Sequence, residues 1–349
     1  MPFEPKSFKE CSHTDKIFEG LKDDYPGFEE WFDKKARTDE TAYVYLDKGS
    51  IQAFLYVKEY EDEPIGNLPK KPRMKIGTMK VSDDYESRRF GEGAIGLALW
   101  RWQQSDLDEV YVTVYPKHEK LIGLLEMYGF ILSGKKDQED IYIKSKTNLD
   151  CSDPKKAFPY IDPNLTRGGY IPIRSQYHDK MFQNSELKNT EQIVGDMYVS
   201  NGLVKVYIAT PDGKLDYARG DIVFIYRIAN EHKSVKSVVS SYCTVLNIVP
   251  VREGGVLSMR FPEFHKRVGN KTVYSDEEMS KEFREPNVYL IELLYNGYFG
   301  KGHNVTYSAL KKEGLFENHP YATKLARDEV FKIFKMGGKN EDDIIINKS

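Results

Sequence analysis

The sequence predicts a mixed α/β (α+β) protein of two domains, and three observations carry that reading. Its 349 residues exceed what one ordinary hydrophobic core organises. Helical and strand periodicities alternate in the first part, whereas strands dominate beyond residue 170. Between the two, "KTNLDCSDPKKAFPYIDPNLTRGG" (146–169) carries three prolines and turn-forming Asn, Asp and Gly without periodicity. The expected division is therefore 1–145, a linker at 146–169, and 170–349.

Each element has its own signal. Ile17, Phe18 and Leu21, then Phe28, Trp31 and Phe32, recur at helical spacing and predict two helices broken at Tyr25-Pro26. "TAYVYLDKGSIQAFLYVKEYED" (41–62) alternates on either side of Asp47-Lys48-Gly49-Ser50, which predicts a hairpin. "RMKIGTMKV" (73–81) is a third strand. In "SRRFGEGAIGLALWRW" (87–102), Ile95, Ala98, Leu99 and Trp102 fall on one face of a helix that starts near Gly93. "DEVYVTVYP" (108–116) reads as a strand and "HEKLIGLLEMYGF" (118–130) as an amphipathic helix through Leu121, Leu124, Leu125 and Tyr128. "EDIYIKS" (139–145) closes the domain. Beyond the linker, "VKVYIAT", "GDIVFIYRI", "SYCTVLNIV" and "NVYLIELLY" are four strands, and short helices follow Ser275 (a Ser-Asp-Glu-Glu capping box), Thr306 and Arg327. So many strands with few helices predict a small β-barrel with helical decoration.

Composition excludes several function classes. The net charge of −3 divides into −6 over residues 1–150 and +3 over 151–349, so no strong basic bias marks a nucleic-acid surface. No run of 18 apolar residues exists and "MPFEPKSFKECSHTDK" lacks an apolar core, which predicts a cytoplasmic protein without a membrane partner. Cys11, Cys151 and Cys243 form neither a disulfide framework nor a zinc knuckle, and the seven histidines show no metal-ligand spacing, so no metal is expected. No Ser-His-Asp or Cys-His cluster is legible.

The chemistry resides in Gly91-x-Gly93-x-x-Gly96. A dinucleotide fold would place these glycines directly after a first strand and an acid at the end of the next one. Here the polar loop "SDDYESRRF" and three earlier strands precede Gly91, and Asp106, Asp108 and Glu109 come before the next strand. A P-loop fails because no Gly-Lys-Ser/Thr follows. Arg88-x-x-Gly91-x-Gly93-Ala94 instead resembles the R/Q-x-x-G-x-G/A signature of the GNAT-family N-acyltransferases. A helix start presents unpaired N–H groups and a positive dipole end to an anion, glycines admit a pyrophosphate closely, and Arg88 and Arg89 add charge. Gly129-Phe130 at the end of the next helix matches the same family, over about residues 10–145.

The resemblance implies a splayed central sheet and a long acyl-coenzyme A site, with acetyl-CoA the donor and an amine the acceptor. It places the cofactor at Met79, Lys80 and Val81, where backbone would pair with the pantetheine arm, and at Arg88, Arg89, Phe90, Gly91, Glu92, Gly93 and Ala94. Many relatives carry a general-acid tyrosine where this chain has Leu125, which has no proton to donate. Tyr128 lies on the apolar stripe and reads as core. His118 stands where relatives have an asparagine that contacts pantetheine; it or a water would then supply the thiolate's proton. Glu86 sits in a loop about two residues longer than usual for the family, where a carboxylate could attract a cationic amine or take its proton through water.

"GGYIPIRSQYHDKMF" (168–182) is rich in potential readers, and Gly220-Asp221 entering the strand "IVFIYR" resembles PUA-like and ASCH-like barrels. That likeness implies RNA or modified bases as partners, contacted by Arg174, Tyr177, His178, Lys205, Tyr226 and Arg227. The expected function is N-acetylation of an amine on RNA, aminoacyl-tRNA, protein or a small molecule. The alternative is a non-catalytic acyl-CoA sensor or an RNA-binding module.

Overall fold

The computed structural model describes residues 3–185, 201–230, 236–316 and 319–346. It divides into two compact units, Met1–Asp150 and Cys151–Ser349.

In chain order the first unit contains β1 (Glu4–Ser7), α1 (Glu19–Asp24), α2 (Phe28–Arg37), β2 (Thr41–Asp47), β3 (Ser50–Glu61), β4 (Arg73–Val81), α3 (Phe90–Gln104), β5 (Glu109–Val114), α4 (Glu119–Met127), β6 (Ile131–Lys136) and β7 (Glu139–Ser145). The seven strands form one mixed sheet in the order β1-β2-β3-β4-β5-β7-β6. Only β4 and β5 run parallel. Phe8, Phe18, Phe28, Phe32 and Phe54 interlock between α1, α2 and the sheet, mostly edge to face, the arrangement their ring quadrupoles favour. Helix α3 buries Ile95, Ala98, Leu99 and Trp102, the face its spacing predicts.

One local feature shapes this sheet. Pairing of β4 with β5 runs from Arg73↔Glu109 to Ile76↔Val112 and stops, although β4 continues to Val81. Opposite β3, Tyr56 pairs with Thr78 and Val57 with Ile76, so Gly77 is an extra, bulged residue. A Cβ at Gly77 would lie 2.7 Å from the Tyr56 ring. A bulge bends its strand, and this one sits where the parallel pairing ends. The splayed sheet expected from the resemblance is present, with Gly77 at its crotch.

The structure also departs from the sequence expectations. Helix α3 begins at Phe90 rather than near Gly93. The single closing strand is a hairpin: β6 pairs antiparallel with β7 at the sheet edge. It escaped periodicity because neither face is buried; Ile131 and Leu132 are both about half exposed (54% and 52%).

The second unit contains α5 (Pro154–Ala157), β8 (Arg167–Arg174), α6 (Ser175–Met181), β9 (Val204–Ala209), β10 (Ile222–Ile228), β11 (Val238–Glu253), β12 (Val256–Leu257), α7 (Phe261–Val268), α8 (Asp276–Glu282), β13 (Val288–Tyr298), β14 (Val305–Thr306), α9 (Tyr307–Lys312), β15 (Lys324–Ala326) and α10 (Arg327–Met336). Its sheet is also mixed, in the order β15-β8-β10-β11-β13-β9, with β12 and β14 paired to β11. Among the described residues no pairing joins β15 to β9, so the path stays open where a closed barrel was expected. The Ser275 capping box forms as predicted, and Thr306 caps α9.

Residues 146–169 do not form a free linker. Ile161 and Leu165 belong to the core cluster with Tyr170, Phe224 and Phe334, and the Ile161 N–H donates to the Ile344 carbonyl at 3.0 Å. The prolines and Asx turns shape a packed loop; Asp153, for example, caps α5. "RGGYIPIR" is strand β8, despite two glycines and a proline. Side chains at Gly168 and Gly169 would strike the Ile222 carbonyl oxygen (2.6 Å) and the Tyr217 ring (2.8 Å), so close packing requires glycine there. Pro172 lies past the end of pairing with β15, where the sheet tolerates a missing N–H.

Candidate functional site

The splay opens a cleft of about 1560 Å³ within the first unit. That exceeds the ~300–1,000 Å³ of a typical small-molecule pocket, so it can take a long ligand, or two ligands together. Its walls are Gly77–Val81 of β4, beyond the last pair with β5, Val112–Val114 of β5, and Leu121, Leu124 and Leu125 of α4. Tyr25, Phe28 and Trp31 border it from α1 and α2.

Helix α3 starts against this cleft. Arg89 is its N-cap in the left-handed region (φ 62°, ψ 21°), and the Gly93 N–H donates to the Arg89 carbonyl at 3.1 Å. The N–H groups of Phe90 and Gly91 therefore lie in the first turn, ahead of that intrahelical bond. Gly91 lines the cleft, and a Cβ on it would meet only Leu124 Cδ2, at 3.3 Å. This end of the cleft offers an anion backbone donors and a dipole.

The loop side chains are disposed differently from the expectation. Arg89 turns inward: its Nε and Nη2 donate to Glu92 Oε2 at 3.0 and 2.7 Å, and the side chain is 11% exposed. Glu92 Oε1 accepts the Tyr128 hydroxyl at 2.6 Å. Neither Arg89 nor Glu92 thus presents its side chain as a phosphate ligand, because the i, i+3 spacing pairs them with each other first. Arg88 stacks on Tyr85, 4.0 Å from the ring centroid. Phe90 is buried against Tyr45, and Gly93 and Ala94 are buried too, so any role they have runs through backbone. Met79, Lys80 and Val81 line the cleft beyond the last β4–β5 pair.

Tyr128 is core, as its position on the apolar stripe predicts. Burial and the neighbouring Glu92 push its hydroxyl well above the usual tyrosine range, and the residue is wholly buried and does not line the cleft. Tyr128→Phe should cost about 1–3 kcal/mol by stranding a buried acceptor, visible in thermal melting. Calorimetry should show cofactor affinity unchanged; a fall in affinity would place Tyr128 in the site after all.

Both residues expected to be catalytic border the cleft, in different settings. Glu86 is about half exposed and ion-paired with Lys120 Nζ at 2.6 Å, which raises the lysine above its ordinary value. Its charge is offset at the cleft mouth. His118 caps no helix with its side chain; its Nε2 lies 3.0 Å from Asp24 Oδ2. Burial alone would raise Asp24, but the Lys117 and His118 contacts outweigh it and hold the carboxyl below the usual range. Asp24 escaped sequence reading. It lies in "LKDDYPG", with no signal linking it to a histidine 94 residues away.

The residues expected to read RNA do not assemble into a surface. His178 is wholly buried and Arg227 is 13% exposed, its Nε and Nη2 bound to Asp179 at 2.7 and 2.8 Å. Lys205 is fully buried against the rings of Phe182 and Tyr295. Tyr226 packs on Phe316 in the core, and Tyr177 donates to Glu278 while stacking on Tyr274. Of the six, Arg174 is exposed. The reason is two-sided burial: Val204–Ala209 is buried at every position and Ile222–Tyr226 likewise, so polar residues within these strands face the interior.

A Ser-His-Asp arrangement that the sequence hid is present here. Ser240 Oγ lies 2.7 Å from His178 Nε2, and Asp179 Oδ1 lies 2.8 Å from His178 Nδ1. His178 and Ser240 have no exposed surface, and Asp179 is committed to Arg227. A nucleophile needs access, so this network ties α6 to β10 and β11 rather than performing chemistry.

No family model matches the chain, and no curated protein matches it. Solved structures do. An ASCH protein of Zymomonas mobilis, crystallised in a mutant form, is 12% identical with a TM-score of 0.33, over 48% of this chain and 95% of that one. The PaiA N-acetyltransferase of Thermoplasma acidophilum, in complex with coenzyme A, is 12% identical with a TM-score of 0.30, over 42% of this chain and 99% of that one. The Campylobacter jejuni N-acetyltransferase PseH, in complex with acetyl coenzyme A, is 14% identical with a TM-score of 0.29, over 41% and 98%. No described helix is long and apolar enough to cross a membrane.

Proposed function

We propose that this protein is an acyl-CoA-dependent N-acyltransferase, with acetyl-CoA as donor and an amine as acceptor. The observation that carries the reading is the cleft at the β4–β5 splay, which leads to Gly91 in the first turn of α3. One long ligand fits such a shape: an anionic pyrophosphate at Arg88–Ala94, with a polar arm pairing along the free edge Met79–Val81. The side chain at Arg88 and the backbone of the loop hold the phosphates; Arg89 and Glu92 hold the loop.

The reaction is direct attack of a neutral amine on the thioester carbonyl. It needs a donor for the developing oxyanion, for which the β4 backbone beyond its last β5 pair is placed, and a path for one proton from amine to thiolate. His118 borders the cleft with an imidazole suited to that path. Glu86 is paired to Lys120 at the mouth with its charge offset, so it is the weaker candidate both for attracting a cationic acceptor and for moving its proton. We read the second unit as a PUA/ASCH-like domain. The interior placement of His178, Lys205, Tyr226 and Arg227 leaves RNA the least supported acceptor class, behind protein and small amines.

A specific observation favours the sensor alternative: Leu125 and the buried Tyr128 leave no tyrosine acid at the family's position, and the cleft's own tyrosines, Tyr25 and Tyr115, give their hydroxyls to Glu139 and the Asp24 carbonyl. Calorimetry with acetyl-CoA, and thioester consumption with small amines, peptides and aminoacyl-tRNA, test both. Binding with turnover supports the transferase; binding without turnover for any amine supports the sensor; no binding removes both.

A further inference from the structure

We infer that Asp24 is a positioning residue that holds the His118 imidazole with its proton on Nε2, so that Nδ1 takes the acceptor amine's proton. The inference rests on the acyl-transfer reading and deepens it. Asp24 ends α1 and His118 precedes α4, so the pair joins two elements across the edge of the cleft, and both residues line it.

For a neutral ring the geometry selects the tautomer. An ionised carboxylate only accepts hydrogen bonds, so the hydrogen of the 3.0 Å Nε2–Oδ2 contact sits on Nε2. Asp24 is itself held: Lys117 Nζ bonds its other oxygen, and the Tyr115 hydroxyl reaches its backbone carbonyl at 3.3 Å. Those are the titratable and charged groups facing the pair from the β5–α4 connection; the next residue of the chain, Tyr25, gives its hydroxyl to Glu139 at 2.8 Å. Among the described residues, His118 Nδ1 has no protein hydrogen-bond partner. Three alternative groups are engaged, Glu86 with Lys120, Glu139 with Tyr25, and Tyr128 with Glu92, while Asp23, Asp83 and Glu119 also line the cleft.

The step then balances. The amine nitrogen bonds to the thioester carbon and its proton passes to Nδ1, giving an imidazolium whose charge Asp24 offsets. The C–S bond breaks with its electron pair going to sulfur. Nδ1 returns the proton to the thiolate, so an N-acyl amine and the coenzyme A thiol leave and His118 is neutral again. The imidazole is thus base first and acid second, rather than only an acid.

The test compares Asp24→Asn, His118→Gln and the double variant in the full chain, with circular dichroism to confirm folding. Asp24→Asn should lower kcat roughly 10- to 100-fold, short of the ~10²–10⁴ of losing the acid–base group itself, with KM for acetyl-CoA little changed. The double variant should be no slower than His118→Gln alone, because both changes disable one unit. Nitrogen NMR of labelled histidine, with the His118 signal identified by its loss in His118→Gln, should show the Nε2–H tautomer in the parent and a tautomer mixture in Asp24→Asn. Unchanged kcat in Asp24→Asn, additive losses in the double variant, or an Nδ1–H tautomer in the parent overturns the inference while leaving acyl transfer standing. A parent that consumes no thioester with any amine overturns both.

Discussion

Gly91→Asp should abolish acetyl-CoA binding while leaving the fold intact. Gly91 is the second residue of α3 and lines the cleft where a pyrophosphate would sit. A carboxylate there repels the ligand and occupies the approach that glycine keeps open. A loss of about 100-fold or more corresponds to ~2.7 kcal/mol, a modest demand on one misplaced charge beside two phosphates. The fold should tolerate the change for three reasons. Gly91 does not require a positive φ, its Cβ would meet only the flexible tip of Leu124, and an acid in the first turn suits the helix dipole. Gly91→Ala, which adds the Cβ without the charge, should retain most of the affinity. Calorimetry alongside melting separates the outcomes. Equal binding by Gly91→Asp and the parent would remove the loop from the site, and binding of NAD but not acetyl-CoA by the parent would overturn the cofactor itself.

Much of this architecture is legible in one sequence because its signals are local. The apolar stripe of α3, the hairpin around Asp47-Lys48-Gly49-Ser50 and the Ser275 capping box depend on neighbours within a few residues, and each forms. The order of elements from β2 to α4 follows. What escaped was decided by tertiary partners. β8 opposes its own propensities, and its glycines are explained only by Ile222 and Tyr217. The loop before it carries prolines like a linker, yet Ile161 and Leu165 are core.

The candidate site shows the same division. The glycine signature and its helix were readable, and a glycine inside "KIGTMKV" is itself a sequence sign of a bulge. The roles of loop side chains were not readable, because Arg89 and Glu92 have a choice between a ligand and each other that only burial decides. Asp24 could not be found from sequence at all, since a His–Asp pair between distant segments has no spacing rule. The same holds for His178 and Asp179 with Ser240; His178 and Ser240 stand 62 positions apart in the chain, and the fold brings them within hydrogen-bond reach.

That second network supports the largest expected stability effect. Asp179 Oδ1 meets both His178 Nδ1 and Arg227 Nε, and its Oδ2 meets Arg227 Nη2. Truncating it strands a mostly buried guanidinium and a buried imidazole, and breaking a buried pair from one side costs about 3–5 kcal/mol. For a unit of this size that is a fall in melting temperature of roughly 6–20 °C for Asp179→Ala. Burial by itself would raise the Asp179 carboxyl, but its hydrogen bonds to Arg227 and His178 prevail and hold it at about 2. An unfolded aspartate titrates near ~3.9. Because the folded value is the lower one, the contribution is complete above pH ~4 and is lost as pH falls towards ~2. The parent's melting temperature should therefore drop across that window more steeply than that of Asp179→Asn, in which the titrating group is gone. Acetyl-CoA affinity should be the same in parent and variants, since the network lies in the other unit. If Asp179→Ala melts like the parent, or if a serine-reactive fluorophosphonate labels Ser240 in the native protein, the network is not the buried structural tie described.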